Sequence, residues 1–318
     1  MKNGAVLGID TSCYTTSCAV VALDGQVLSS VRIPLAVGRG ERGLRQSEAV
    51  FQHVKQLPEA LQKALTQSER PDIKAVCASA APTGQANSYM PVFVSGWSFA
   101  RSIAQALDVP CYATSHQQGH FAAARIGLKG LPGSYLGMHL SGGTTEVLRI
   151  SGEGIGALGG TLDISAGQLI DRVGVALGLP FPAGPSLEKL AMGIKAEGRY
   201  PAVVKESAFC SFSGVEDAAM RDIASGMDAP SIAAELFDCV SRVALKIAVN
   251  AVDKTGYQSV LITGGVASSS LLKELLRDRI KKRRLSVTVH FGQAQYAADN
   301  AAGVAVIGLE EYTKHQED

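Results

Sequence analysis

The chain has 318 residues, 46% of them hydrophobic and 19% charged, with 34 glycines and a formal net charge of +1. That describes an ordinary globular protein long enough for about two domains, and no apolar run approaches the roughly 20 residues of a membrane span. A near-zero net charge neither favours nor excludes nucleic acid, because a local patch can bind phosphates on a neutral protein.

Met1-Lys2-Asn3 leads straight into a strand-like run and does not have the form of a signal peptide, so a cytoplasmic protein without membrane contact is expected. The six cysteines, Cys13, Cys18, Cys77, Cys111, Cys210 and Cys239, show no C-x-x-C spacing and are read as reduced, small core residues.

In chain order, Ala5 to Asp10, Cys18 to Leu23 and Gln26 to Ile33 read as a three-stranded meander joined by polar turns. Val50, Phe51, Val54, Leu57, Leu61 and Leu65 recur at helical spacing. A strand from Ile73 to Ala80, a helix from Ser98 to Leu107 and a strand from Val109 to Thr114 complete a β-β-β-α-β-α-β order. The second half repeats it. Strands are predicted over Leu136 to Leu140, Glu146 to Ile150 and Gly156 to Leu162, then helices chiefly over Ala166 to Leu177 and Ile232 to Val252. The strand Ser259 to Thr263, helix Ser270 to Arg284, strand Ser286 to Phe291 and a helix from about Asn300 to Tyr312 follow. Two copies of a βββαβαβ unit predict an α/β fold with a cleft between its halves.

Between the halves lies Ser115-His116-Gln117-Gln118-Gly119-His120. Histidines four apart share one face of a helix and could share a metal ion; spacing alone fits two capping or partly buried histidines equally well. A helical zinc protease would carry Glu where this chain has Gln117, so peptide hydrolysis is not expected. Three turns suit nucleotide phosphates: Asp10-Thr11-Ser12, Ser141-Gly142-Gly143-Thr144 and Gly264-Gly265. Each alone reads as an ordinary hairpin or strand-end turn, but their recurrence in a duplicated chain favours the phosphate reading. The G-x-G-x-x-G match at Gly154, Gly156 and Gly159 is flanked by strands and does not mark a dinucleotide fold.

Duplicated βββαβαβ (RNase H-like) halves with these turns resemble the actin, Hsp70 and sugar-kinase superfamily. Within it, the chain resembles the tRNA threonylcarbamoyladenosine-synthesising transferases, long mislabelled glycoproteases. The resemblance is carried by Ile9 to Cys13, Ser115 to His120, Leu140 to Thr144, Thr161 to Asp171, Gly178 to Pro185, Ser211 to Gly214, Gly264 to Ala267 and Asp299 to Ala302. It implies one actin-like domain over 1–114 joined by the helix at about 300–318, a metal-ligand helix and connection over 115–132, and a second such domain over 133–299.

In that family two histidines and a late aspartate bind a divalent metal, which implies His116, His120 and Asp299 with Fe2+ or Zn2+; Asp299 taken alone would read as a helix N-cap. The family substrate is the adenine nucleotide threonylcarbamoyl-AMP, with ATP, ADP or AMP as other occupants. Its implied contacts are His139, Leu140, Ser141, Gly142, Gly143, Thr144, Asp171, Gly184, Gly264, Gly265 and Ser269. Asp10 and Ser12 are the implied catalytic residues. Implied partners are tRNA, a smaller subunit of similar fold and an ATPase subunit, with a homodimer as a further expectation. The basic run Arg277, Arg279, Lys281, Lys282, Arg283 and Arg284 reads as a solvated helix end or as a tRNA contact.

The implied reaction moves a threonylcarbamoyl group to N6 of the tRNA adenosine adjacent to the anticodon. Several departures stand against the family pattern. Tyr14 and Thr15 replace an acidic pair, Ile164 and Gln168 replace acids, Ala183 replaces a glycine, Ser269 an asparagine and Glu216 a lysine. They leave an alternative: a non-catalytic paralogue that binds adenine nucleotide, metal and partner subunits. A kinase on the same fold would need a general base aimed at a hydroxyl, and none is evident.

Overall fold

The computed structural model describes residues 4–12, 14–37, 44–85, 87–152, 154–205, 208–297 and 301–317. The chain forms two compact units, Met1–Ile126 with Ala298–Asp318, and Gly127–Ala297. The helix holding His116 and His120 thus falls within the first unit, whereas the sequence reading set it apart as a connection.

The first unit runs β1 (Gly4–Thr11), β2 (Thr15–Ala22), β3 (Val27–Pro34), α1 (Gln46–Gln67), β4 (Asp72–Ala81), α2 (Pro91–Leu107), β5 (Cys111–Ser115) and α3 (His116–Arg125). The second runs β6 (Tyr135–Leu140), β7 (Thr145–Ser151), β8 (Gly154–Thr161), α4 (Ala166–Ala176), α5 (Gly184–Ala191), β9 (Val203–Val204), β10 (Ala208–Ser211), α6 (Ser213–Ala224), α7 (Ala229–Thr255), β11 (Ser259–Thr263), α8 (Ser270–Arg283) and β12 (Thr288–Phe291). The last helix, α9 (Ala302–Glu317), returns to the first unit.

The first sheet has the order β3-β2-β1-β4-β5, with β1 antiparallel to β2 and parallel to β4. β1 reads as an unbroken apolar run because helices cover both faces of this central strand, and all its residues after Gly4 are buried. The second sheet, β12-β11-β6-β7-β8-β10-β9, contains the same five-strand order read in reverse, so the duplication is real. It then grows past β8: β10 adds parallel to β8, and β9 adds antiparallel to β10. This extension, α5 and α6 were not anticipated from sequence.

Other differences have local causes. Pro91 opens α2 seven residues before the expected Ser98, since proline at a first helical position loses nothing by lacking an N–H. Phe51 and Val54, expected on the buried stripe of α1, are exposed; the buried line is Ala49, His53, Leu57, Ala60 and Ala64. Small side chains let the helix approach the sheet, which turns the larger apolar residues outward. Asn300, the expected start of the last helix, lies outside the described residues.

Each unit has its own core: Leu7, Ile9, Val20, Leu57 and Val76 centre the first, and Leu136, Met138, Leu169, Phe212, Phe237 and Ile262 the second. Each such side chain stabilises the fold by about 1.5–3 kcal/mol. Cys18, Cys77, Cys210 and Cys239 are buried unpaired core residues, as expected, and burial pushes the Cys18, Cys210 and Cys239 thiols up to about 12. Cys13 lies outside the described residues. Among the described residues no helix is long and apolar enough to cross a membrane.

Candidate active site

Three successive residues at the end of β1 are each tied to a different helix. Asp10, fully buried, accepts from His116 Nδ1 of α3 at 3.0 and 3.1 Å. Thr11 Oγ1 donates to the Val92 carbonyl of α2 at 2.9 Å and accepts from the Gly96 amide at 3.2 Å. The Ser12 carbonyl accepts from His53 Nε2 of α1 at 2.7 Å. His53 Nδ1 meets the Thr16 hydroxyl at 2.7 Å, and that hydroxyl also lies 2.8 Å from Gln56 Oε1. Burial lowers the His53 pKa against the opposing pull of the Ser12 carbonyl and Asp10. The expected catalytic pair thus divides: the Asp10 carboxylate is turned to a histidine, and Ser12 is buried in a braced turn.

α3 starts directly after β5. Ser115 caps it through the Gln118 amide, while Gln118 Oε1 accepts from the Ser115 amide in a capping box. Both histidines fall on one face, with their Nε2 atoms 3.0 Å apart and ring planes at 71°. Two ring nitrogens that close share a proton or a cation, since opposed lone pairs repel. The helix is pinned by α9: a Cβ on Gly303 would come within 1.9 Å of the Gly119 carbonyl oxygen, so only glycine allows this crossing. Asp299, the third expected ligand, lies outside the described residues, and among the described residues no group of three or more His, Cys, Asp and Glu is disposed to hold a metal. Asp10 cannot complete such a set, because it sits on the Nδ1 side of His116.

In the second unit the turn after β6 is held from below. Ser141 N–H donates to the Thr144 carbonyl at 2.9 Å and Thr144 N–H to Ser141 Oγ at 3.0 Å. Ser165 Oγ and the Gly167 amide, at the start of α4, donate to the Gly142 and Ser141 carbonyls. With the carbonyls engaged beneath, Gly142 and Gly143 are exposed, a Cβ on either would meet nothing within 4 Å, and among the described residues their amides meet no acceptor. This is a cradle for an anion. Gly264, at φ +103°, brings the end of β11 against Leu140 and His139; a Cβ there would lie 2.4 Å from the Leu140 oxygen. Leu140 itself is a core residue, so its side chain is not free to meet a ligand.

Beside this turn is a cavity of about 550 Å³ whose lining includes Gly142, Asp171, Phe181, Gly184, Gly265 and Ser269. Ile170, Phe237 and Val266 add apolar wall. The size and lining suit a nucleoside. Asp171 Oδ1 accepts from the Ala183 amide at 2.8 Å, which leaves its other oxygen for a ligand hydroxyl. Ser269 caps α8 by accepting from the Leu272 amide at 3.1 Å. His139, Ser141 and Thr144 belong to the adjoining strand end and turn and do not line the cavity.

Sequence reasoning missed His53, Phe181 and Glu188. A histidine interrupting the apolar spacing of α1 was the available sign of the first. Nothing local marked Glu188, which accepts from the Ser270 hydroxyl at 2.6 Å and the Leu271 amide at 2.9 Å, more than 80 positions away.

The departures from family pattern are absorbed locally. Gln168 completes a capping box with Ser165 as Glu would. The buried Ala183 sits where a Cβ on Gly174 would come within 2.3 Å of its own, and Glu216 pairs with Arg172 at 3.1 Å. In the basic run Arg279 is consumed by Asp238 and Ser241, and Arg277 lies 5.2 Å over the Phe291 ring. Lys281, Lys282, Arg283 and Arg284 are exposed.

Solved structures agree on the fold. The chain is similar to HypF of T. kodakarensis (TM-score 0.66, 16% identity, 99% of this chain and 48% of that one). It is also similar to component A of the (R)-2-hydroxyglutaryl-CoA dehydratase of Acidaminococcus fermentans (TM-score 0.58, 15% identity, 97% and 99%) and to a ROK family glucokinase of Streptomyces griseus solved with glucose and AMPPNP (0.56, 14%, 96% and 100%). These place both units in the actin and sugar-kinase-like ATPase fold. In sequence, a Thermus thermophilus tRNA N6-adenosine threonylcarbamoyltransferase is 33% identical over 98% of this chain and 93% of its own length. A Neorickettsia sennetsu protein of the same name is 30% identical over 98% and 94%. The profile of the family described as TsaD, tRNA N6-adenosine threonylcarbamoyltransferase, matches residues 29–306. By that match over most of its length and by these relatives, the chain belongs to the tRNA N6-adenosine threonylcarbamoyltransferase family.

Proposed function

We propose that this protein transfers the threonylcarbamoyl group from threonylcarbamoyl-AMP to N6 of the tRNA adenosine adjacent to the anticodon, releasing AMP. The observation that carries this reading is the family match across residues 29–306, together with relatives of that name aligned over nearly the whole chain. In the reaction N6 attacks the carbamoyl carbon, the bond from that carbon to the phosphate oxygen breaks, AMP leaves with the electron pair, and N6 gives up a proton.

The cavity of the second unit supports a role for its residues. Ile170, Phe181 and Val266 would hold the adenine, the open oxygen of Asp171 a ribose hydroxyl, and Gly142 and Gly265, with Gly143 of the adjoining turn, the phosphate through backbone N–H groups. Donors fixed before the substrate arrives stabilise charge on the leaving phosphate at no cost in reorganisation. Among the described side chains of the site none is an evident nucleophile, so positioning and electrostatics carry the rate.

The two facing Nε2 atoms of His116 and His120 fit a divalent ion, Fe2+ or Zn2+, with Asp299 as third ligand. Such an ion, when bound, supplies Lewis acidity and open coordination positions. The expected partners are tRNA, a smaller subunit of similar fold, an ATPase subunit and a second copy of the chain, in the cytoplasm. The test is reconstitution: purified chain, partner subunits, threonylcarbamoyl-AMP and an unmodified tRNA transcript. Formation of the threonylcarbamoylated nucleoside with release of AMP supports the reading; AMP release or nucleotide binding without nucleoside product contradicts it.

A further inference from the structure

We propose that Asp10 is a positioning residue for the metal, the outer carboxylate that sets the tautomer and orientation of His116. The proposal rests on the reading of His116 and His120 as metal ligands. Both Asp10 oxygens lie within hydrogen-bond distance of one ring nitrogen, Nδ1 of His116, at 3.0 and 3.1 Å, and the carboxylate is fully buried. A carboxylate accepts only, so Nδ1 carries the hydrogen. The lone pair of the neutral ring is then on Nε2, the atom that faces His120 Nε2 at 3.0 Å. Ligating histidines generally pass their other ring N–H to a carboxylate or carbonyl in this way, which raises their basicity and locks the ring.

The backbone that carries this carboxylate is itself fixed. Asp10 pairs with Ser17 in the β1–β2 register, its carbonyl accepts from the Ser17 hydroxyl at 3.2 Å, and the next two residues are bound to α2 and α1 through Thr11 and the Ser12 carbonyl. A buried carboxylate also needs a charged or strongly donating partner to offset its desolvation, and His116 supplies one. Facing Nδ1, its oxygens are on the wrong side of the ring to join the Nε2 atoms on one ion. This assigns the aspartate of the Asp10-Thr11-Ser12 turn to holding a ligand, not to moving a proton.

The test has two readings on the full-length chain. First, chelator-stripped wild type and Asp10→Asn are titrated with Zn2+ in competition with a chromophoric chelator. The wild type should take up one ion, and the variant should bind it about 10- to 100-fold more weakly. Equal affinity in the two proteins overturns the proposal. Second, nitrogen–proton correlation spectra of the metal-free wild type report the His116 tautomer without any substitution, so a variant that fails to fold does not spare the idea. The hydrogen is expected on Nδ1; finding it on Nε2 overturns the proposal whatever the metal result. A wild type that takes up no ion overturns the ligand reading of the histidines, and the proposal with it, a result distinct from equal affinities.

Discussion

Asp163 shows how one side chain can hold an element that local sequence does not announce. It accepts from the Phe212 and Ser213 amides at 2.9 and 3.1 Å and from the Ser213 hydroxyl at 2.6 Å, so it caps α6 from fifty positions away. Burial pushes its carboxyl up, but the Ser213 hydroxyl, the two amides and the Thr161 hydroxyl together pull it down to about 2, from an ordinary 3.8. As pH falls, the unfolded chain therefore takes the proton first. The stability from this group is complete above about pH 4 and is lost as pH falls towards 2. Asp163→Ala should cost about 1 kcal/mol at pH 7, with the difference from wild type shrinking through that window, as urea denaturation at stepped pH would read. A constant difference down to pH 2 would contradict the capping role. At the buried cluster of His53, Thr16 and the Ser12 carbonyl, His53→Ala should cost about 1–3 kcal/mol by the same measurement, since it strips partners from Thr16 and the Ser12 carbonyl. His116→Ala should abolish the proposed metal retention and keep the secondary structure seen by circular dichroism, but lower the melting temperature, because the buried Asp10 carboxylate loses its donor.

At the scale of elements, the glycines of the Ser141 to Thr144 turn and of the start of α4 separate packing from binding. A Cβ on Gly167 would lie 2.5 Å from Gly142 Cα and from the Ser141 oxygen, so Gly167→Ala must push α4 off the turn. It should cost about 1–3 kcal/mol and weaken nucleotide binding together. Gly142→Ala and Gly143→Ala face open space, so they should leave the melting temperature nearly unchanged and lose adenine nucleotide, measured by calorimetry. Loss of stability without loss of binding in these two would contradict the cradle. The sequence made most of this geometry readable where the signal was local: β1, the Ser141 to Thr144 turn and the order of elements along the chain follow from apolar runs, turn glycines and duplication, and the shared helix face of His116 and His120 from their spacing of four. It was silent where partners are distant. α6 depends on Asp163, and the buried face of α1 on how closely alanines allow that helix to approach the sheet. Proline at position 91 was a legible start for α2 that apolar spacing alone overlooked.

At the scale of the whole molecule, two copies of one topology have diverged in use. The first unit keeps five strands and carries the histidine helix braced on α9; the second extends its sheet by β10 and β9 and carries the cavity. With Tyr14 and Thr15 where the resemblance implied an acidic pair, Asp10, His116 and His120 stand in hydrogen-bonded order, and Gln168, Ala183 and Glu216 each have a local partner. The transfer reading therefore asks only that positioned donors and ligands suffice without that pair. Complementation tests this most directly: the chain is expressed, with all partner subunits supplied, in cells deprived of their own transferase, and their tRNA nucleosides are analysed by mass spectrometry. Restored N6-threonylcarbamoyladenosine, lost again with His116→Ala, is the predicted result; a well-expressed, folded chain that restores none of the modified nucleoside would contradict it.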